Sequence, residues 1–167
     1  MTNRAGEKLP LAAVTPIRVA MEIVKATDAD LPALCELLGA LFSQEAEFVP
    51  DPRLQAAGLR LILADEKVGQ ILVMRDNSQV LAMVSLLFHP STALGARVAV
   101  LEDFVVRPDC RGRGLGSRLL DAAVELARAQ GCRRVTLLTD HDNAAAQRLY
   151  ARHGFAKSTM LTMRLIV

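Results

Sequence analysis

The sequence predicts an α/β fold built on a mixed sheet, antiparallel in its early part and with a parallel βαβ unit near its end. Two strand-like runs, 69–76 and 79–89, are separated by Asp76, Asn77 and Ser78. Short polar side chains of this kind favour a tight reversal, so the pair predicts an antiparallel hairpin. Two segments with helical apolar spacing precede the hairpin and two more follow it. The first of the later helices lies between two strand-like runs, and a parallel pair needs a crossover of that kind.

Each element has its own signal. Ile23 to Lys25 supply a short first strand. Thr27 or Asp28 can cap a helix striped by Leu31, Leu34, Leu38 and Leu41. A polar loop with Pro50 leads into a second helix from about Pro52 to Asp65. Beyond the hairpin, a linker from His89 gives way to a strand from Arg97 to Val106, which Pro108 ends. The next helix runs from Ser117 to Gln130, with Leu119, Leu120, Ala123, Val124 and Ala127 inward and Gly131 at its C-cap. A strand at 133–139 and a helix from Asn143 to His153 follow, the latter closed by Gly154. Phe155 to Val167 predicts one or two final strands, giving the order βααβββαβαβ. Residues 1–20 hold Pro10 and Pro16 and no sustained apolar run. They read as an extension, open to disorder, ahead of a single domain at 21–167.

The bulk numbers exclude several classes. At 167 residues one domain is expected, and an apolar fraction of 51% is ample for its core. Twenty basic residues against eighteen acidic ones leave +2, far from the basic excess of a nucleic-acid binder. With no Trp and one Tyr there is no aromatic platform for bases. The apolar run Leu81 to Phe88 is interrupted by Ser85 and is too short to span a membrane. Cys35, Cys110 and Cys132 lack CxxC spacing, which fits reduced thiols in the cytoplasm. His89, His141 and His153 are scattered without metal-ligand spacing. Cys110 has no histidine partner that would make it a nucleophile.

The chemistry concentrates in RPDCRGRGLGSRLL, residues 107–120. Gly112, Gly114 and Gly116 alternate with Arg111, Arg113 and Leu115 where a strand hands over to a helix. Free N–H groups and the dipole at a helix N-terminus make an anion site, and glycine lets backbone approach it. Such a turn can also serve only to reverse the chain. A dinucleotide fingerprint needs GxGxxG and an acidic residue about 20 positions on. Here the spacing is GxGxG, and after Asp140 too little chain remains for a doubly wound half. A P-loop is excluded because no GK[ST] follows.

The motif RGRGLG resembles the Arg/Gln-x-x-Gly-x-Gly/Ala signature of the GNAT superfamily of N-acetyltransferases. LEDFVVRPDCRGRGLGSRLLDAAVELARAQGCRRVTLLT looks like that family's central strand, acyl-CoA loop, helix and next strand, and DNAAAQRLYARHGF like its following helix. The resemblance is specific from about residue 97 to 155. It implies a largely antiparallel sheet flanked by helices, with a splayed cofactor strand. It further implies transfer of acetyl from acetyl-CoA to a primary amine of a small molecule or peptide by direct attack. Arg111, Gly112, Arg113, Gly114, Leu115, Gly116 and Ser117 would then hold the pyrophosphate. Phe104, Val105 and Val106 would line the pantetheine arm, with the Val106 amide or a neighbour facing the thioester oxygen. Asn143 would touch the pantetheine amide.

Asn143 and Tyr150 are seven positions apart, so on a regular helix they share a face. The resemblance makes Tyr150 the general acid, whereas the residue alone fits a packed core tyrosine. Glu102 is the candidate base, with Asp103 expected on the opposite sheet face and a water relay as the alternative. A non-catalytic acyl-CoA sensor is the competing function. Acceptor specificity is expected in the first two helices and the 89–97 loop. Gln44, Glu45, Glu47 and Asp51 make the first helix exit acidic, which fits either a cationic acceptor or a solvated loop. The apolar stretch Leu161 to Val167 is a candidate homodimer strand.

Overall fold

Asn77 adopts φ +55°, a conformation asparagine tolerates, and turns β2 (Gly69–Asp76) directly into β3 (Gln79–Ser91). Their antiparallel pairing runs from Asp76 opposite Gln79 to Gly69 opposite Leu87. A computed structural model describes residues 21–44 and 49–166 of the chain, so the extension expected at 1–20 lies outside the described residues. β1 (Glu22–Lys25) pairs antiparallel with β2, and β4 (Ala96–Val106) with β3. β5 (Val135–Leu137) joins β4 in parallel, completing a sheet in the order β1-β2-β3-β4-β5.

Among the described residues four α-helices cover the sheet: α1 (Leu31–Phe42), α2 (Pro52–Ala64), α3 (Leu115–Ala129) and α4 (Ala144–Arg152). On one face Leu119, Leu120 and Ala123 of α3 are fully buried with Val84, Leu86 and Leu101. On the other, Leu34 and Leu38 of α1 and Leu59 of α2 pack with Val73, Met83 and Val105. Each fully buried leucine contributes about 1.5–3 kcal/mol, so these layers hold the helices to the strands. The cap of α1 differs from expectation. A short 3-10 turn at Asp28–Asp30 comes first, and the Asp30 carboxylate accepts from the Thr27 N–H at 2.8 Å. The same carboxylate, 5% exposed, takes Arg75 Nη2 at 2.7 Å, an ion pair that ties this corner to β2. No helix among the described residues is long and apolar enough to cross a membrane.

β4 carries one residue too many. Ser85 pairs with Glu102 but Met83 pairs with Val105, so two steps on β3 oppose three on β4. The extra residue is Asp103, at φ +51°. A bulge of this kind shifts the strand's alternation by one residue. Before it, Ala99 N–H bonds the Arg134 carbonyl leading into β5, so odd-numbered residues face β5. After it, Arg107 N–H bonds the Leu81 carbonyl of β3, so odd-numbered residues face the other way. Alternation then turns the N–H groups of Phe104 and Val106 away from β3. On that side β5 pairs only with Ala99, Val100 and Leu101. Beyond Leu101 no described strand pairs with this edge of β4, which is the expected splay.

Two elements depart from the sequence reading. α3 begins at Leu115 rather than Ser117, because the turn itself supplies the N-cap at Gly114. No strand forms among described residues 155–166. Leu161, Met163 and Leu165 alternate with polar residues, a strand pattern, yet they are 92%, 93% and 85% exposed. A pattern makes a strand only where a neighbour takes its backbone groups, and no described strand pairs with this segment.

Candidate active site

The open edge of β4, the turn at 111–114 and the facing helices α3 and α4 form one region. Gly112 and Gly114 sit at φ +74° and +76°, conformations that cost a residue with a Cβ about 1–2 kcal/mol. Arg118 N–H is bonded to the Gly114 carbonyl at 3.3 Å. The N–H groups ahead of it, at the start of α3, therefore have no helical acceptors. Bare N–H groups, glycine backbone and the positive end of a fifteen-residue helix fit a phosphate. Gly116 is ordinary helix. A Cβ there would meet Phe104 at 3.5 Å and Val106 at 3.7 Å, normal contact distances. The alternating glycines thus divide into two that the turn's conformation requires and one that it does not.

The two arginines also differ. Arg111 folds back, donating Nε to the Val106 carbonyl at 3.1 Å and Nη1 to Gln44 Oε1 at 3.2 Å. A carbonyl and N–H of one strand residue point to the same edge. The Arg111 bond therefore marks the open edge to which the Val106 N–H points. Arg113 has no side-chain partner among the described residues and is exposed, free to meet an anion.

Phe104 and Val106 lie on the α3 face, and Val105 on the α1 face. The Phe104 ring stands 6.1 Å from the ring of Tyr150, which in turn lies 5.9 Å from Phe155. Tyr150 is 8% exposed. Its hydroxyl has no hydrogen-bond partner among the described residues. Burial pushes the phenol above its ordinary range, so it stays protonated. Asn143 is the N-cap of α4, and its side-chain oxygen accepts from Ala146 N–H at 3.1 Å. It stands outside the regular turns, at φ −74°, ψ 65°, so the expected seven-residue helical face does not apply to it. Its amide NH₂ remains available to donate.

Both carboxylates of the Glu102-Asp103 pair lie toward Ser85. Glu102 is the cross-strand partner of Ser85, and Asp103 Oδ2 accepts from the Ser85 hydroxyl at 3.1 Å. The opposite faces expected from alternation do not hold, because the bulge interrupts alternation at this point. Glu102 is exposed. Asp103 is held above the usual carboxylate range, first by burial and also by the neighbouring Glu102, while the Ser85 bond opposes them. Ser85, with no exposure at all, was visible in the sequence only as a break in an apolar run.

Of the three acids at the α1 exit, the described one, Asp51, is paired. Asp51 caps α2 through Arg53 N–H at 2.9 Å and pairs with the Arg53 guanidinium at 3.1 Å. Gln44 is held by Arg111, and Glu45 and Glu47 lie outside the described residues. His141 is exposed and Cys110 is buried at 4%. A hollow of ≈ 430 Å³ opens beside Ser117 between α3 and α4, lined also by Asp121, Arg128, Arg152 and His153. Its lining does not include Glu102 or Tyr150, so it adjoins the start of α3 rather than those two residues.

The model of the GNAT acetyltransferase family matches residues 31–155. The chain is 31% identical over 142 residues to YhfO, an uncharacterised N-acetyltransferase of Bacillus subtilis, covering 83% of this chain and 92% of that one. It is 29% identical over 137 residues to the aminoalkylphosphonate N-acetyltransferase of Salmonella typhimurium, covering 82% and 86%. A Clostridium acetobutylicum structure, solved with acetyl-CoA, superposes with a TM-score of 0.72 at 19% identity, covering 87% and 96%.

Gly114→Val should relax the free turn out of the left-handed region, and if an acyl-CoA phosphate binds there, restoring it at about 1–2 kcal/mol should weaken acetyl-CoA binding roughly 5–30-fold. Gly116→Ala should leave binding within about twofold, since its Cβ meets only ordinary contacts. Calorimetry on both variants checks the division, and equal losses contradict it. Asp103→Asn keeps a residue that tolerates positive φ and can accept from Ser85. The folded protein holds the Asp103 proton more tightly than the unfolded chain, so stability falls as pH rises from about 4 through the raised folded value. The Asn variant should lose that decline and melt higher than the unaltered protein at mildly alkaline pH. Melting scans across pH measure it, and parallel profiles contradict it.

Proposed function

This chain belongs to the GNAT acetyltransferase family, and from that premise we propose that it moves the acetyl group of acetyl-CoA to a primary amine by direct attack. The observation that carries the reading is the meeting of three features. They are the open edge of β4, the αL-glycine turn at the start of α3, and a buried tyrosine whose hydroxyl has no partner among the described residues. Acetyl-CoA supplies an acetyl group activated as a thioester.

The backbone N–H groups of Arg113 to Gly116, with Ser117 and Arg113, hold the phosphates, and Leu115 anchors the turn in the core at 3% exposure. Phe104 and Val105 shape the strand along the pantetheine arm, and the amide NH₂ of Asn143 donates to it. The Val106 N–H donates to the thioester oxygen as it gains negative charge, a fixed dipole that needs no reorganisation. Tyr150 donates its proton to the departing thiolate. Burial raises its pKa and keeps that proton in place beforehand, while a thiol at about 8.5 gives the better leaving group.

An amine near about 10.4 is mostly ammonium at neutral pH and must lose a proton first. Glu102 is exposed beside the open edge and takes that proton, directly or through a water. Asp103 is bonded to Ser85 and holds the bulge, so it stands behind Glu102 as the second carboxylate of the site. The Salmonella relative acts, by its name, on an aminoalkylphosphonate, which supports a small-molecule amine as acceptor. The pairing of Asp51 with Arg53 removes part of the case for a cationic one. The unpaired thiols of Cys35, Cys110 and Cys132 fit the reducing cytoplasm. The exposed alternation at Leu161, Met163 and Leu165 fits a homodimer contact.

A thiol-release assay over a panel of small amines and peptide N-termini tests the reaction. Tyr150→Phe keeps the ring packing and removes only the proton. Single-turnover rates should fall about 10²–10⁴-fold, with acetyl-CoA affinity close to that of the unaltered protein. A rate within about twofold, measured where chemistry is limiting, removes Tyr150 from the acid role.

A further inference from the structure

His153 closes α4 with a side chain that is only 11% exposed. Its Nδ1 lies 2.9 Å from the Leu149 carbonyl. A carbonyl only accepts, so Nδ1 carries a hydrogen. Its Nε2 faces α3, 3.0 Å from Ser117 Oγ and 3.2 Å from Asp121 Oδ1. In the neutral ring Nε2 is a bare lone pair. The Ser117 hydroxyl can then donate to it, but the Asp121 carboxylate faces lone pair to lone pair. In the protonated ring every contact is matched, with Nδ1–H on Leu149 and Nε2–H shared by Asp121 and Ser117. The Ser117 hydrogen is then no longer needed by the ring and is free for another acceptor.

Ser117 is the third residue of α3, inside the turn whose N–H groups lack helical acceptors. The other charged groups lining this hollow are Glu125 and Arg128 of α3 and Arg152 of α4. Glu125 and Arg128 pair with each other. Arg152 and the positive end of α3 lie on the same side, and an anion on the turn attracts positive charge there.

We propose that His153 is a positioning residue for the phosphate turn: an anion bound at α3 draws a proton onto the ring, and the protonated ring leaves the Ser117 hydroxyl hydrogen to point at that anion. This rests on the reading of the turn as the acyl-CoA phosphate site. Coupling between two sites is reciprocal, so protonating His153 tightens the cofactor as the cofactor favours protonation.

The test uses the full-length protein with acetyl-CoA as the probe. Ring resonances of His153, assigned with His153→Gln, should show a larger protonated fraction at fixed near-neutral pH when acetyl-CoA is added. From mildly alkaline to mildly acidic pH, acetyl-CoA affinity should tighten roughly fivefold more in the unaltered protein than in His153→Gln, at the low end of site-to-site couplings. Comparing the two slopes cancels the ligand's own titration. Ser117→Ala combined with His153→Gln should bind no worse than the weaker single variant, because both act through one hydroxyl. A resonance that does not move, equal slopes or additive losses each overturn the role of His153 while leaving the phosphate site standing. Absence of acetyl-CoA binding at every pH overturns the phosphate site and this inference with it.

Discussion

The Ser85 hydroxyl donates to the Asp103 carboxylate between β3 and β4, and that bond spans the bulge on which the open edge of β4, and with it the proposed acyl-transfer site, depends. A regular β4 would keep one alternation from Ala96 to Val106. Its odd-numbered N–H groups would then face β5 throughout, and the Phe104 and Val106 amides would be spent on β3. The extra residue reverses the phase, so these two amides face an edge that β5 has already left. The same reversal puts the Phe104 and Val106 side chains beside Gly116, which lets β4 and α3 lie close. The cost is a non-glycine residue at positive φ and a half-buried carboxylate. Strain of that kind persists where the surrounding structure over-determines it and where function uses it.

Much of this was legible in the sequence. Asp76-Asn77-Ser78 named its own turn, and the glycines at 112 and 114 sit where positive φ demands them. The leucine stripes of α1 and α3 found the faces that bury them. These are local signals, and local physics decides them. The bulge was not legible, because LEDFVV reads as an unbroken strand. Only cross-strand pairing shows that Glu102 and Val105 oppose Ser85 and Met83. The opposite-face reading of Asp103 failed for that reason. The final strand failed for a related one. The alternation at Leu161, Met163 and Leu165 is real, but pairing is a property of two segments and the sequence displays one.

Site residues divided along the same line. Tyr150 and Asn143 could be placed on one helix by spacing, yet the capping of α4 by Asn143 puts it outside the helical turns. Arg111 and Arg113 look equivalent in RGRG, but one is folded onto the Val106 carbonyl and the other is free. His153 had no sequence signal beyond its place three residues after Tyr150. Its partners Ser117 and Asp121 belong to α3, and only packing brings the two helices together.

The phase reversal makes an alternate-residue signature, and backbone amide NMR of the protein titrated with acetyl-CoA reads it most directly. The amides of Phe104 and Val106 should shift together with those at the start of α3, while Val105 and Arg107, whose N–H groups face β3, stay near their free positions. Shifts at Val105 and Arg107 as large as those at Phe104 and Val106, or no shift at Val106 when the α3 amides move, would contradict the account.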